Sequence, residues 1–210
     1  MITLYDYRRS SAAYRVRIAL TLLGLPYSAI SVNLLDGTQR APENLARNPQ
    51  GLVPTLEIDG HTLTQSVAIL EYLDETRKSG FLPKDAAGRA RVRALTYAIA
   101  MEISPVCNLS VRTHAASVSD GLITADGWQT HFITQGLTAF ERMLDHPATG
   151  LCCYGNSISM ADICLVPQIY NARRAKIDLA AFPRISRIMA HLDGIPEIAA
   201  AYPDLHKPIA

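Results

Sequence analysis

Neither sign of charge dominates this 210-residue chain: lysine and arginine number 20, aspartate and glutamate 19. No basic excess points to nucleic acid, and no acidic tail points to a basic partner. No apolar run approaches the ~20 residues that span a bilayer. Residues Met1 to Arg9 lack the charged-then-apolar order of a signal peptide, because both arginines follow the first apolar stretch. The expectation is a cytosolic protein that binds neither nucleic acid nor membrane.

Chemistry-bearing clusters are also scarce. The four cysteines, Cys107, Cys152, Cys153 and Cys164, form no CxxC. Cys152 and Cys153 are neighbours that would bridge only with strain. All four are therefore expected as free thiols, buried as small hydrophobes. The six histidines form neither HExxH nor a close His/Cys cluster, so no metal site is expected. No Ser/His/Asp triad, Walker loop or paired-carboxylate signature can be assembled, and there is no internal repeat.

What is abundant is apolar material, 49% of residues, enough for one large or two small domains. Ile2 to Tyr5 alternates and reads as a strand. Val16 to Leu23 is an apolar helical run stopped by Gly24 and Pro26. Tyr27 to Leu34 reads as a second strand, which makes a βαβ unit with a parallel crossover. A short helix is expected near Glu43–Ala46. Asp59-Gly60 between two alternating segments is a hairpin signal, since a type I′ turn needs positive φ twice. Ser66 then opens a helix carrying Val67, Ile69, Leu70 and Leu73. After a turn-rich junction at 79–85 the pattern becomes helical. One segment runs from Arg89 to His114, another carries Ile133, Leu137, Phe140 and Leu144, and others begin at Ser159, near Pro183 and near Pro196. The fold class expected is α/β followed by all-α, with an α/β domain over 1–81 and a helical domain over 87–210. Ser159 and Asp162 have the spacing of a capping box, with Ile158 and Ile163 as its hydrophobic staple.

Three segments have the right place for a ligand. Arg8-Arg9-Ser10-Ser11 lies between the first strand and first helix, outside the carboxyl end of a parallel strand. Free N–H groups at the helix start suit an anion, including a thiolate; equally, Ser10 or Ser11 is a simple N-cap. Ser66 either caps its helix or presents its hydroxyl and amide to a carboxylate. Val53-Pro54 is either a plain strand boundary or a cis bond turning Val53 toward a ligand. Arg173, Arg174 and Lys176 near a helix end also fit ordinary dipole compensation.

Together these segments resemble the zeta class of glutathione transferases, which includes the maleylacetoacetate isomerases. The resemblance is carried by Ser10-Ser11-Ala12-Ala13-Tyr14-Arg15-Val16-Arg17-Ile18-Ala19-Leu20, by Asn48 to Leu56, by Gln65 to Leu73, and by Asn108-Leu109-Ser110-Val111, Met160-Ala161-Asp162, Leu165-Val166-Pro167-Gln168 and Asn171 to Arg174. It implies a thioredoxin-like first domain, a helical second domain and a homodimer. It implies glutathione as cofactor, Ser10 at the activating position with Ser11 beside it, and a cis bond at Pro54 with Val53 holding the cysteinyl part. Gln65 and Ser66 would hold the γ-glutamyl carboxylate and Gln39 the glycyl end. Asn108 would line the site, and Arg9 and Arg174 would bind substrate carboxylates.

The function implied is glutathione-dependent cis–trans isomerisation of maleylacetoacetate or maleylpyruvate in the catabolism of aromatic amino acids and aromatic acids. A thiolate adds to the double bond, the bond rotates, and elimination returns glutathione. A transferase or haloacid dehalogenase of the same class would consume glutathione instead. A binding protein that kept only the fold would not need the glutathione-site residues present here. The chain departs from the family at Ala12, where cysteine is usual, at Cys107, often glutamine, and at Ser104, often glutamine or histidine. Ala12 leaves serine-based activation in place and argues against thiol–disulfide chemistry, as no first-helix thiol remains.

Overall fold

Strand β1 (Thr3–Asp6) runs at the centre of a four-stranded sheet of order β2-β1-β3-β4. Helix α1 (Ser11–Leu22) connects it to β2 (Ser28–Ser31), which pairs with it in parallel. This is the βαβ unit expected from the apolar run between two short strands. α1 stops as its sequence requires: Gly24 takes φ 61° and the Leu25 N–H bonds to the Leu20 C=O at 2.9 Å, which closes the helix in a Schellman motif.

The chain then forms a single 3-10 turn at Thr38–Arg40 and helix α2 (Pro42–Arg47), and returns as the hairpin β3 (Thr55–Ile58) and β4 (His61–Thr64). β3 lies antiparallel to β1, with Tyr5 opposite Thr55. The hairpin turn has φ 54° at Asp59 and 78° at Gly60, as a type I′ turn demands. Helix α3 (Ser66–Arg77) packs against α1. Leu4, Val16, Ile18, Leu20, Leu56, Ile69, Leu70 and Leu73 are fully buried, each side chain contributing about 1.5–3 kcal/mol by leaving water.

The structure, a computed structural model, describes residues 1–206; positions 207–210 of the expected helical region lie outside it. Two units divide the described chain: Met1–Phe81 together with residues 194–206, and Leu82–Asp193. The first therefore also contains α10 (Pro196–Ala200), which packs on α1, and a 3-10 turn at Pro203–Leu205.

The second unit is helical: α4 (Ala86–Tyr97), α5 (Ser104–Val106), α6 (Leu109–Ser117), α7 (Ala125–Met143), α8 (Met160–Arg174) and α9 (Pro183–Leu192). The segment expected as one helix from Arg89 to His114 is broken. A π turn at Ala98–Ile103 precedes α5, the Ser104 N–H reaching back to the Ile99 C=O, and the chain restarts at Asn108. Pro105 is the physical cause, because its ring cannot join an ordinary α-ladder. Ile133, Leu137, Phe140 and Leu144 face the core as expected. Gly136 is required there: a Cβ on it would lie 2.3 Å from Ile103 Cγ1.

The capping box at Ser159 is present, and fully buried Asp162 also accepts from the Cys153 N–H at 2.8 Å. Among the described residues no single helix is long and apolar enough to cross a membrane.

Candidate active site

The turn from Tyr7 to Ser10 joins β1 to α1. Its closing bond runs from the Ser10 N–H to the Tyr7 C=O, 2.8 Å. Ser10 is the N-cap: its backbone is extended, its Oγ accepts from the Ala13 N–H at 3.2 Å, and its C=O accepts from Tyr14. Of the two serines that could have capped α1, Ser10 does so and Ser11 is the first helical residue. Capping uses the hydroxyl only as an acceptor, so its own proton remains available to an anion. The N–H groups of Ser11 and Ala12, in the first turn of α1, have no acceptor within the helix. The cap and anion-site readings of this segment are therefore compatible. Arg9 is exposed at the same turn.

The Val53–Pro54 bond is cis. Val53 is buried in a cluster with Tyr5, Val32, Tyr7 and Leu34, which sets it beside the carboxyl end of β1. Among the described residues neither its N–H nor its C=O makes a backbone hydrogen bond. Gln65 occupies the N-cap position of α3 with φ 65° and ψ 109° and makes no side-chain cap bond; its Nε2 donates to Gln50 Oε1 at 2.7 Å. A side chain in this conformation is strained.

Ser66 is not the cap that a serine at a helix start suggests. It is buried at the first helical position, and its Oγ accepts from Arg15 Nη1 at 3.2 Å. That bond ties the start of α3 to α1.

Two asparagines, both almost fully buried, support the loop between β2 and β3. Asn44 Nδ2 donates to the Gln39 C=O at 2.8 Å, and Asn48 Nδ2 donates to the Leu52 C=O at 2.9 Å. Gln39 itself has a buried Oε1 without a hydrogen-bond partner.

Glutathione presents a thiol, a peptide backbone and two carboxylates, and these residues offer a counterpart to each. Ser10 and the first amides of α1 suit the thiolate. The unengaged backbone of Val53 suits the cysteinyl peptide. The start of α3 at Gln65-Ser66 suits a carboxylate, and for the glycyl carboxylate the Gln39 side chain has a donor in its Nε2 amide, not in its unpartnered Oε1.

In the second unit, Asn108 is the exposed N-cap of α6, with no side-chain cap bond. Arg174 ends α8, exposed, with its Cζ 5.8 Å from the Tyr170 ring centre. Its neighbour Arg173 is paired with Asp193 at 2.9 Å, whereas Arg174 has no ion pair among the described residues. All four cysteines belong to the second unit: Cys152, Cys153 and Cys164 are buried and Cys107 half-buried. Burial pushes the Cys107 thiol up to about 11 and the Cys152 thiol up to about 12.

Arg15, Arg17, Asn44 and Asn48 take part in this architecture without having been singled out from the sequence. The available signal was two arginines inside the apolar run of α1, because a buried charge must be paired.

The N-terminal domain of glutathione S-transferases matches residues 1–75. A maleylacetoacetate isomerase from Rhizobium meliloti (strain 1021) is 58% identical over 207 residues, 98% of this chain and 97% of that one. A zeta-class bacterial maleylpyruvate isomerase in its holo form superposes with a TM-score of 0.93 at 34% identity, covering 99% of this chain and 100% of the other. A maleylacetoacetate isomerase from Methylobacterium extorquens AM1, with bound malonate and glutathione, gives 0.92 at 38% identity and 98% coverage of both. The thioredoxin-like first domain and the mostly helical remainder are those of the glutathione transferase fold. The chain belongs to the glutathione transferase family, within the zeta class that includes the maleylacetoacetate isomerases.

Proposed function

We propose that this chain is a glutathione-dependent cis–trans isomerase of maleylacetoacetate, or of the chemically similar maleylpyruvate, acting in the cytosol as a homodimer in aromatic catabolism. The observation that carries the reading is the Ser10 turn: a capping hydroxyl with its proton free, at a helix start whose first amides are unpaired.

Glutathione, when bound, supplies a thiolate that adds reversibly to the substrate's cis double bond and is returned after rotation. The chain's own residues prepare that chemistry. Ser10 donates its hydroxyl proton toward the sulfur, with Ser11 beside it, and the α1 amides add positive potential. A thiol of ordinary pKa, ~8.5, is only a few per cent ionised at pH 7; lowering it by ~2 units makes the thiolate the majority form. Val53 binds the cysteinyl backbone beside Pro54, Gln65 and Ser66 hold the γ-glutamyl carboxylate, Gln39 holds the glycyl end, and Asn108 contributes from the helical unit. Arg9 and Arg174 orient the substrate carboxylates by charged hydrogen bonds and stabilise negative charge that develops on the substrate. An acidic substrate is supported by the Methylobacterium extorquens relative, which holds malonate along with glutathione.

The test is turnover at substoichiometric glutathione. With glutathione at a tenth of the substrate concentration, complete conversion to the trans isomer with glutathione recovered supports isomerisation. Conversion that stops when glutathione is consumed identifies a transferase or dehalogenase.

A further inference from the structure

The side chain of Arg17 is fully buried and bonds to three separated segments of the first unit. Nη1 meets Asp6 Oδ2, at the end of β1, at 2.5 Å. Nη2 donates to the Arg8 C=O at 2.8 Å. Nε donates to the Ala201 C=O at 3.3 Å, just after α10. Its guanidinium carbon lies 5.1 Å from the Tyr14 ring centre.

The Arg8 carbonyl is the tip of the Tyr7–Ser10 turn that presents the Ser10 hydroxyl. Arg17 thus pins that turn from below, while Asp6 fixes the guanidinium. The C-terminal segment holds the same turn from outside, through Arg8 Nη1 and Asp204 Oδ1 at 3.3 Å. The segment's own geometry is kept by the Ala201 N–H on the Ile198 C=O and by the His206 ring on the Ala200 C=O.

We propose that Arg17 is a positioning residue for the Ser10 turn, and that through it residues 194–206 form a clamp that couples their own order to the placement of the activating hydroxyl. A planar guanidinium is suited to this role, because its fixed fork can meet three acceptors in different directions at once. A lysine ammonium at the end of a flexible stem can keep the Asp6 pair but cannot hold both carbonyls in that geometry. The inference rests on the glutathione reading for what Ser10 does; the clamp itself is a property of the free protein.

The test uses Arg17→Lys in the full chain, with two readouts. The first is the thiol pKa of bound glutathione, followed by thiolate absorbance against pH. The expected result is a rise of about one unit, roughly a tenfold loss of thiolate at pH values below both pKa values, with glutathione affinity changed less than about threefold. The second is amide hydrogen exchange without ligand, expected to quicken at Ser10 and at Ala201 together. An unchanged thiol pKa in the folded variant, or faster exchange at only one of the two amides, overturns the proposal. Should Arg17→Lys not fold, the unaltered protein decides: added glutathione should slow exchange at Ser10 and Ala201 in step, and slowing at Ser10 alone overturns the coupling. If the unaltered protein neither binds glutathione nor lowers its thiol pKa, the functional reading fails, while the exchange in Arg17→Lys still judges the clamp.

Discussion

Arg15 Nη1 lies 3.2 Å from Ser66 Oγ, joining α1 to the start of α3. The bond is made by a buried side chain of α1 to a buried hydroxyl at the start of α3. Ser66→Ala removes that acceptor and the donor proposed for the γ-glutamyl carboxylate. We expect a KM for glutathione raised about tenfold with kcat largely kept, consistent with a lost charged hydrogen bond of ~1.5–3 kcal/mol. Steady-state kinetics over glutathione concentration check this; a fall in kcat at unchanged KM contradicts it.

Substrate selection by Arg174 is tested with one acidic and one neutral electrophile. Arg174→Ala should lower kcat/KM for the acid about ten- to a hundredfold and leave the neutral electrophile nearly unchanged. Equal losses would mean a structural role, and no loss would mean a helix-end cation in solvent.

Much of this arrangement is legible locally. The hairpin is announced by Asp59-Gly60, the end of α1 by Gly24, and the core face of α7 by the spacing from Ile133 to Leu144, because each follows from turn chemistry or periodicity within a few residues. The break in the helical run at 98–108 is masked: Pro105 signals it, but Val92, Leu95, Ile99 and Ile103 keep an apolar period across the π turn. Ser66 misleads for a related reason: serine at a helix start normally caps it, but here the hydroxyl serves Arg15, 51 residues away. The support of the Ser10 turn is equally non-local, as Arg17 and Ala201 lie 184 residues apart. Zeta-class resemblance supplied the residues proposed to meet the ligand; it assigned no role to the buried Arg15, Arg17, Asn44 and Asn48.

The buried Asp6 carboxyl is raised above its ordinary 3.8, desolvation outweighing the attraction of Arg17. A raised carboxyl pKa means that the folded state binds more protons than the unfolded chain between the two values. This group's contribution to stability is therefore greatest at pH below 3.8 and falls as pH rises toward the folded pKa. Asp6→Asn removes the titration. Melting temperatures from pH ~3.5 upward should show the variant gaining on the unaltered protein as pH rises through that window. A gap that widens against the variant contradicts the direction assigned to Asp6.

The cysteines should be nearly inert. With the Cys107 thiol pushed up to about 11 by burial, its thiolate fraction at pH 7 is on the order of one in ten thousand. Alkylation by iodoacetamide at neutral pH should be far slower than for free cysteine and should leave activity unchanged. Rapid modification with loss of turnover would place a thiol in the mechanism.

The central claim is that the Ser10 turn ionises a bound thiol, and the most direct measurement is a thiolate-absorbance titration of bound glutathione in the unaltered protein and in Ser10→Ala. The account predicts a thiol pKa of about 6.5 in the unaltered protein and a return to roughly 8 or above in Ser10→Ala. It also predicts a loss of about a hundredfold in kcat at neutral pH, in a variant that still folds and binds glutathione. A thiol pKa that stays low in Ser10→Ala, or that is never lowered in the unaltered protein, would contradict it.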